Sequence, residues 1–150
     1  MGLIEFKDLP DTSTPLNAEN LNNNFNELKG EKVWTNPNPT NDFDENEIQL
    51  DLSEFDYIEI ITNLDSTINF DSSCFTKSLI SEKGNRADIF CKYYLDGIGN
   101  AILTRTCFVY KNKIHFKKGY YFPVDTAIGQ EANYYLIPLY IIGYKTGIFN

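Results

Sequence analysis

Short alternating apolar segments, separated by turn residues, dominate the sequence from residue 31 onward. Ile48, Leu50 and Leu52 alternate with polar residues, which is the pattern of a strand with one buried face. About seven to nine such segments, with turn signals roughly every ten residues, are typical of a β-sandwich or jelly roll. The predicted strands cover residues 31–35, 48–52, 57–62, 73–80, 88–95, 101–110, 113–116 and 134–144.

Turn residues between these segments favour antiparallel connections. Residues 111–112 lie between two apolar runs and predict a tight hairpin turn, and residues 96–100 predict another. Two prolines and three asparagines exclude regular structure from residues 36–42. The chain has 150 residues, of which 42% are hydrophobic and 15% aromatic, which suffices for one packed domain. We therefore predict a mainly β, antiparallel sandwich or jelly-roll-like domain over residues 31–150, preceded by an extended arm and a short N-terminal α-helix over residues 1–30.

A different pattern occupies residues 17–30, where apolar residues recur at spacings of three, four and three. The members of this seam are Ala18, Leu21, Phe25 and Leu28. Their spacing matches the a and d positions of a coiled coil, and the residues between them are mostly Asn. A helix of about a dozen residues is marginal alone in water, so it requires a partner surface. We therefore predict that this seam oligomerises the chain.

Residues 1–16 are predicted to form an extended arm, because Pro10 and Pro15 prevent regular strand pairing there. The arm nevertheless carries apolar side chains that are suited to contact with a neighbouring protein surface. These side chains are Leu3, Ile4, Phe6 and Leu9. We therefore predict that the arm is an attachment segment.

The charge and the start of the chain argue against several classes of function. A net charge of −8 and a pI of 4.6 disfavour nucleic-acid binding through a basic face. The start lacks the basic residue and long apolar run of a signal peptide, and no stretch reaches the length of a membrane span. A single His and the absence of a G-x-S-x-G motif disfavour a serine hydrolase. We expect no catalytic residue, no nucleic-acid partner and no membrane partner.

The few metal-binding residue types are scattered along the chain. The three cysteines, Cys74, Cys91 and Cys107, are widely spaced and form no CxxC pair, and His115 is the only histidine. A structural zinc site requires about four ligands at close spacing. We therefore predict no metal site and no cofactor, and we expect the three cysteines to be buried free thiols.

Aromatic side chains point to glycan binding. Sugar rings present C–H faces that pack on aromatic planes, and their hydroxyl groups pair with amides and carboxylates. The candidate rings are Trp34, Tyr93, Tyr94, Tyr120, Tyr121, Tyr134 and Tyr135. In a strand, alternation turns one ring of each Tyr–Tyr doublet outward. We predict glycan contact at Tyr120 and Tyr121, with Lys117 and Lys118 attracting anionic polymers. Two alternatives stay open: the rings pack in the core or between subunits, and the basic run over residues 111–118 is a solvated strand face.

Residues 8–22, DLPDTSTPLNAENLN, resemble the opening of tail-fibre, baseplate and other minor structural proteins of phages that infect Gram-positive bacteria. Three further stretches are similar to the compact β domain that often follows this opening. They are residues 34–37 (WTNP), 51–60 (DLSEFDYIEI) and 137–145 (IPLYIIGYK). Most of the middle of the chain, residues 63–130, carries no such resemblance.

The resemblance implies a virion structural protein that forms a homotrimeric, fibre-like appendage. The arm and the helix would attach it to other virion proteins, and the β domain would face a host cell-wall glycan. The protein would be made in the host cytoplasm and reside in the virion. Two alternatives are a capsid head-fibre or decoration protein without a receptor role, and a stand-alone glycan-binding or glycan-cleaving module.

Overall fold

The computed structural model describes residues 30–65, 74–126 and 128–145. Several predicted features lie outside these residues. They are the attachment arm with Leu3, Ile4, Phe6 and Leu9, and the oligomerisation seam of Ala18, Leu21, Phe25 and Leu28. Both stay predictions. No helix in the described part of the chain has the length and hydropathy needed to cross a membrane.

The described residues form nine β-strands, and every pair of adjacent strands is antiparallel. The strands are β1 (Glu31–Thr35), β2 (Asn46–Gln49), β3 (Tyr57–Asn63), β4 (Cys74–Leu79), β5 (Asn85–Leu95), β6 (Gly99–Val109), β7 (Lys113–Pro123), β8 (Gln130–Glu131) and β9 (Ile137–Tyr144). The first sheet has the order β1-β9-β3-β4, and the second has the order β2-β7-β6-β5 with β8 beside β7. The predicted antiparallel β-sandwich is confirmed.

One apolar core fills the space between the two sheets. Alternate residues of the central strands face this core, as the period of two requires. The fully buried apolar side chains include Ile58, Ile60, Leu103, Val109, Ile114, Phe116, Ile137 and Ile141. Each contributes roughly 1.5–3 kcal/mol through burial. The core therefore fixes which side of every strand faces outward.

The predicted strand over residues 48–52 is shorter than its alternation suggests. β2 ends at Gln49, although Leu52 is fully buried. The backbone amides of Leu50 and Leu52 donate instead to the carbonyls of Asn112 and Lys111 in the β6–β7 turn. The alternation therefore identified the side of the segment that faces the core, where Leu50 is partly buried, but it did not determine the backbone pairing.

Strand β7 is much longer than the predicted strand over residues 113–116. It continues to Pro123 through an irregularity, because Arg105 pairs with Gly119 whereas Cys107 pairs with Phe116. Two residues of β7 therefore oppose one residue of β6, which is the pattern of a β-bulge. The bulge lies at the two lysines before Gly119, where the sequence loses its simple alternation.

Strands β5 and β6 form a long hairpin and pair without interruption. The first pair is Asn85 with Val109, and the last pair, next to the turn, is Leu95 with Gly99. Its turn uses glycines in the left-handed region, with φ of 77° at Gly97 and 93° at Gly99. Near this turn Tyr93 and Tyr94 are both exposed, although Tyr93 lies on the inward side of β5 with Ile89 and Leu95 and Tyr94 on the outward side. The structure thus leaves aromatic surface at the hairpin end.

Candidate functional site

A buried arginine organises one end of the sandwich. Arg105 lies on the inward face of β6 and is only 1% exposed. All five of its N–H groups are used, because Nε donates one hydrogen bond and Nη1 and Nη2 donate two each. The acceptors are the backbone carbonyls of Phe43, Lys117, Asn133, Tyr135 and Leu136, at 2.8–3.1 Å. One side chain thus fastens the loop before β2 and the loop before β9 to strand β7.

Electrostatics around this side chain leave it charged at neutral pH. Burial lowers the pKa of Arg105 to about 10, and the negative charge of Asp44 acts in the opposite direction. The guanidinium also lies 5.5 Å from the centre of the Phe43 ring, which is within range of a cation–π contact. Because a buried charge is costly unless it is fully hydrogen-bonded, the five carbonyls are a structural requirement of this site.

Gly119 makes room for this arrangement. A methyl group on Gly119 would lie 2.6 Å from the carbonyl oxygen of Ala132 and 2.8 Å from Nη2 of Arg105. The backbone of Gly119 also accepts from the Ala132 amide at 2.8 Å, and its amide donates to Oδ1 of Asn133 at 2.9 Å. The loop before β9 therefore approaches β7 more closely than a side chain there would allow.

A pocket of about 290 Å³ opens beside this fastened end. It is lined by one residue of β1, the loop that follows β1 and the first residue of β2. The lining residues are Trp34, Asn36, Pro37, Asn38, Asn41, Asp42, Phe43, Asp44, Glu45 and Asn46. The aromatic rings form a supported wall, since Trp34 and Phe43 pack edge to face at 6.4 Å and Phe43 packs likewise on Phe116 at 5.5 Å.

The pocket loop is fixed at its base by Asn36. This residue is buried, and its side-chain amide donates to the Pro138 carbonyl at 2.8 Å. Its Oδ1 accepts from the Asn38 amide at 2.9 Å, which shapes the start of the loop. The amide of Phe43 donates to the Asn133 carbonyl at 3.0 Å, which holds the other end. The pocket therefore rests on a preformed backbone.

The chemistry of the pocket is that of an indole ring surrounded by amides and carboxylates. Within the described residues, the side chains of Asn38, Asn41 and Asp42 make no hydrogen bond. They are therefore available to donate to and accept from hydroxyl groups of a ligand. A concave site with an apolar wall and a few polar groups is the usual form of a small-ligand site.

The four residues predicted to contact glycan lie in different environments in the structure. Tyr121 is only 8% exposed, donates its hydroxyl to Oε1 of Gln130 at 2.6 Å and packs edge to face on Tyr135. Tyr121 is therefore corrected to a core residue, because a buried ring has no face for a sugar. Tyr120 is exposed, as the alternation predicted for this doublet, and its role in glycan contact stays a prediction.

The two predicted lysines are both paired with carboxylates. Lys117 donates to Oε1 of Glu45 at 2.6 Å, and Lys118 donates to both carboxylate oxygens of Glu131 at 2.9 and 3.0 Å. The hydrogen bonds from Lys117 and His115 lower the pKa of the Glu45 carboxyl. The other pairs of the basic run join Lys111 to Glu82, Lys113 to Glu47 and His115 to Glu45. These ion pairs agree with a solvated strand face and reduce the attraction of the run for an anionic polymer.

The two cysteines whose side chains the structure describes, Cys91 and Cys107, differ in burial. Cys107 is fully buried, and burial raises the pKa of its thiol to about 12, with the charge of Asp88 acting in the same direction. Cys91 is only half-buried, so the expectation of a buried thiol is confirmed for Cys107 alone. The described residues contain no group of three His, Cys, Asp or Glu side chains arranged to hold a metal ion.

Sequence reasoning missed Arg105, although a signal was present. The inward residues of β6 are Ala101, Leu103, Arg105, Cys107 and Val109. An arginine at an inward position of an otherwise apolar strand face indicates a buried, fully paired charge. The pocket had a weaker signal, since Trp34 precedes an asparagine- and proline-rich loop whose path the sequence does not specify.

Comparison of the chain with family models, curated proteins and solved structures finds no match. The resemblance of residues 8–22 to phage virion proteins therefore stays a prediction from sequence.

Proposed function

We propose that the chain is a phage virion structural protein that forms a homotrimeric, fibre-like appendage and binds a glycan of the host surface. The pocket beside Trp34 is the observation that carries the binding role. The motif in residues 8–22 supports the virion role, and the predicted arm and helix supply attachment to other virion proteins.

The pocket suits a neutral sugar ring better than an anionic polymer. Its wall is the Trp34 indole, and its polar lining includes three acidic residues that precede β2, Asp42, Asp44 and Glu45. Carboxylates and amides pair with hydroxyl groups, whereas a phosphate-rich polymer would require cations at this site. A single shallow site of this kind binds weakly, and several copies facing one surface gain avidity.

The glycan role is tested with variants of the exposed pocket loop in the full chain. Asn38→Ala combined with Asp42→Ala removes polar groups without removing the supporting rings. We expect binding to purified host cell walls to fall about fivefold to tenfold per lost hydrogen bond. Asp96→Ala combined with Asn112→Ala, at two exposed turn positions outside the pocket, is the matched control and leaves binding unchanged. Equal binding by both double variants would show that the pocket is not the glycan site.

The second candidate is a head-fibre or decoration protein without a receptor role. The ion pairs of Lys117 and Lys118 and the burial of Tyr121 favour it, since they weaken three of the four predicted contact residues. Phage carrying the pocket double variant would then adsorb to cells at the normal rate. Labelled antibody on intact particles locates the protein and separates the tail from the capsid, and its absence from particles would refute both virion roles.

A further inference from the structure

The outer face of β5, β6 and β7 carries three cross-strand rows of side chains. The rows are Phe90–Thr104–Tyr120, Lys92–Ile102–Phe122 and Tyr94–Asn100–Val124. We name these nine residues the outer patch. Directly paired side chains on one face of an antiparallel sheet lie about 5 Å apart, so the rows form one continuous surface.

Much of the outer patch is apolar and exposed. Phe90 is 71% exposed and Tyr94 is 63% exposed, and Ile102, Tyr120 and Val124 are exposed as well. A groove of about 310 Å³ runs between Ile102, Phe122, Pro123 and Val124. Leaving such rings in water is unfavourable by roughly 25 cal/mol for each Å² of apolar surface. Contiguous apolar surface of this kind marks an interface.

Charge limits what can cover the outer patch. None of its nine residues is acidic, and Lys92 is its only charged member, although the chain as a whole carries −8. Lys118 lies nearby on β7 but is paired with Glu131. An anionic polymer therefore finds few cations here. Asp88 and Glu131 border the patch, but Asp88 is paired with Arg86 and Glu131 with Lys118. Two copies of the chain, which repel one another elsewhere, can therefore approach at this surface without bringing unpaired carboxylates together.

Among the described residues, the best complement to the outer patch is the patch itself. Five of the ten large apolar residues exposed in the described part of the chain belong to it. Ile98 lies in the turn at the end of the same hairpin, and Tyr93 lies near that end on the inward side of β5. The remaining three, Leu79, Ile128 and Tyr134, belong to other elements. No second apolar face of similar extent is present among the described residues.

We propose that the outer patch is the contact surface between copies of this chain, with one part of the patch covering a different part of the patch on the neighbouring copy. Surfaces close to a symmetry axis lie next to their own copies, so a single patch can supply both sides of an apolar contact. The exposed ring of Phe90 fits the groove lined by Ile102, Phe122 and Val124 of the neighbouring copy. The inference rests on the oligomeric part of the proposed function and assigns the β domain a role in it.

Photo-crosslinking in the full chain tests this contact. A benzophenone amino acid replaces Phe90 in one variant and Leu79 in the control, where Leu79 is 51% exposed on β4 of the other sheet. We expect covalent dimers from position 90, with the crosslinks on outer-patch residues, and at least tenfold fewer from position 79. Equal yields, crosslinks outside the patch or no dimers from an oligomeric protein would overturn the inference.

A second pair of variants keeps the test independent of crosslinking chemistry. Phe90→Ser combined with Ile102→Ser should raise the dissociation constant of the oligomer at least tenfold in analytical ultracentrifugation, whereas Leu79→Ser leaves it unchanged. An unchanged dissociation constant in the double variant would show that the outer patch is not the contact surface. A wild-type monomer throughout would reject both the patch and the proposed trimer. Normal assembly without cell-wall binding would reject only the glycan role.

Discussion

The inner and outer faces of the second sheet differ sharply within one step along β6. Arg105 faces inward, and its five N–H groups all donate to carbonyls of the same chain. Thr104, its neighbour, faces outward between Phe90 and Tyr120, two exposed rings. The inner side buries a charge and satisfies it completely. The outer side presents apolar groups that the described part of the chain leaves uncovered.

The inner face has its hydrogen bonds satisfied within one folded chain, whereas the apolar outer face would be covered only when copies of the chain assemble. A buried donor without a partner would destabilise the fold directly, so the Arg105 site has to be complete within the chain. Exposed rings do not prevent folding, because the unfolded chain also exposes them to water. The Arg105 site therefore governs stability and the shape of the pocket loop, whereas the outer patch governs contact between copies.

Replacing Arg105 should produce the largest effect. In Arg105→Met the carbonyls of three segments lose their donor, and we expect stability to fall on the order of 4 kcal/mol. Urea denaturation at one fixed protein concentration measures this. The control Arg86→Met changes an exposed side chain on β5 and should stay within about 0.5 kcal/mol. A loss below about 1 kcal/mol for Arg105→Met would show that the site is not structurally required.

Gly119→Ala should weaken the same site from its other side. The added methyl would overlap the Ala132 carbonyl oxygen, so the loop before β9 has to move away from β7. We expect a loss of about 1–3 kcal/mol, measured by the same denaturation. The displaced loop should also weaken glycan binding, because Asn133 holds the backbone of Phe43. Wild-type stability in this variant would contradict the close approach seen here.

Alkaline pH should act on the inner face through Cys107. Its thiol has a pKa of about 12 in the fold and 9.0 ordinarily, so the folded chain keeps a proton that the unfolded chain releases. The stabilisation is complete below pH 9 and is lost as the pH rises towards 12. Cys107→Ala should flatten the decline of stability across this window. If stability declined equally steeply with pH in the wild type and in the variant, Cys107 would not be the cause of the decline.

Substitution on the outer patch should change folding least. Phe90→Ser should alter the stability of dilute, dissociated protein by less than about 0.5 kcal/mol, because the ring is exposed in one chain. Phe116→Ser removes a fully buried ring and should cost about 3–5 kcal/mol in the same assay. Similar losses for both would show that Phe90 is packed within its own chain.

Sequence reasoning succeeded where burial follows a period of two. The alternation of Ile58 and Ile60 identifies the inward face of β3, and the sandwich follows from several such strands. It did less well at the bulge before Gly119, where an extra residue breaks the alternation. The part of β7 beyond the bulge was therefore not predicted as a strand. The pocket depends on distant contacts, such as Asn36 with Pro138, that no local pattern encodes. The outer patch requires the register between three strands, which alternation in a single strand does not provide.

Hydroxyl-radical footprinting of the assembled full chain tests the difference between the two faces most directly. Phe90 is more exposed than Leu79 in the single chain, at 71% against 51%, and a phenyl ring is intrinsically more reactive than a leucine side chain. In the assembly we expect the reverse order of labelling, with Phe90 labelled more slowly than Leu79 and regaining its reactivity on dilution, while Phe116 stays unlabelled. Faster labelling of Phe90 than of Leu79 at every concentration would contradict this expectation.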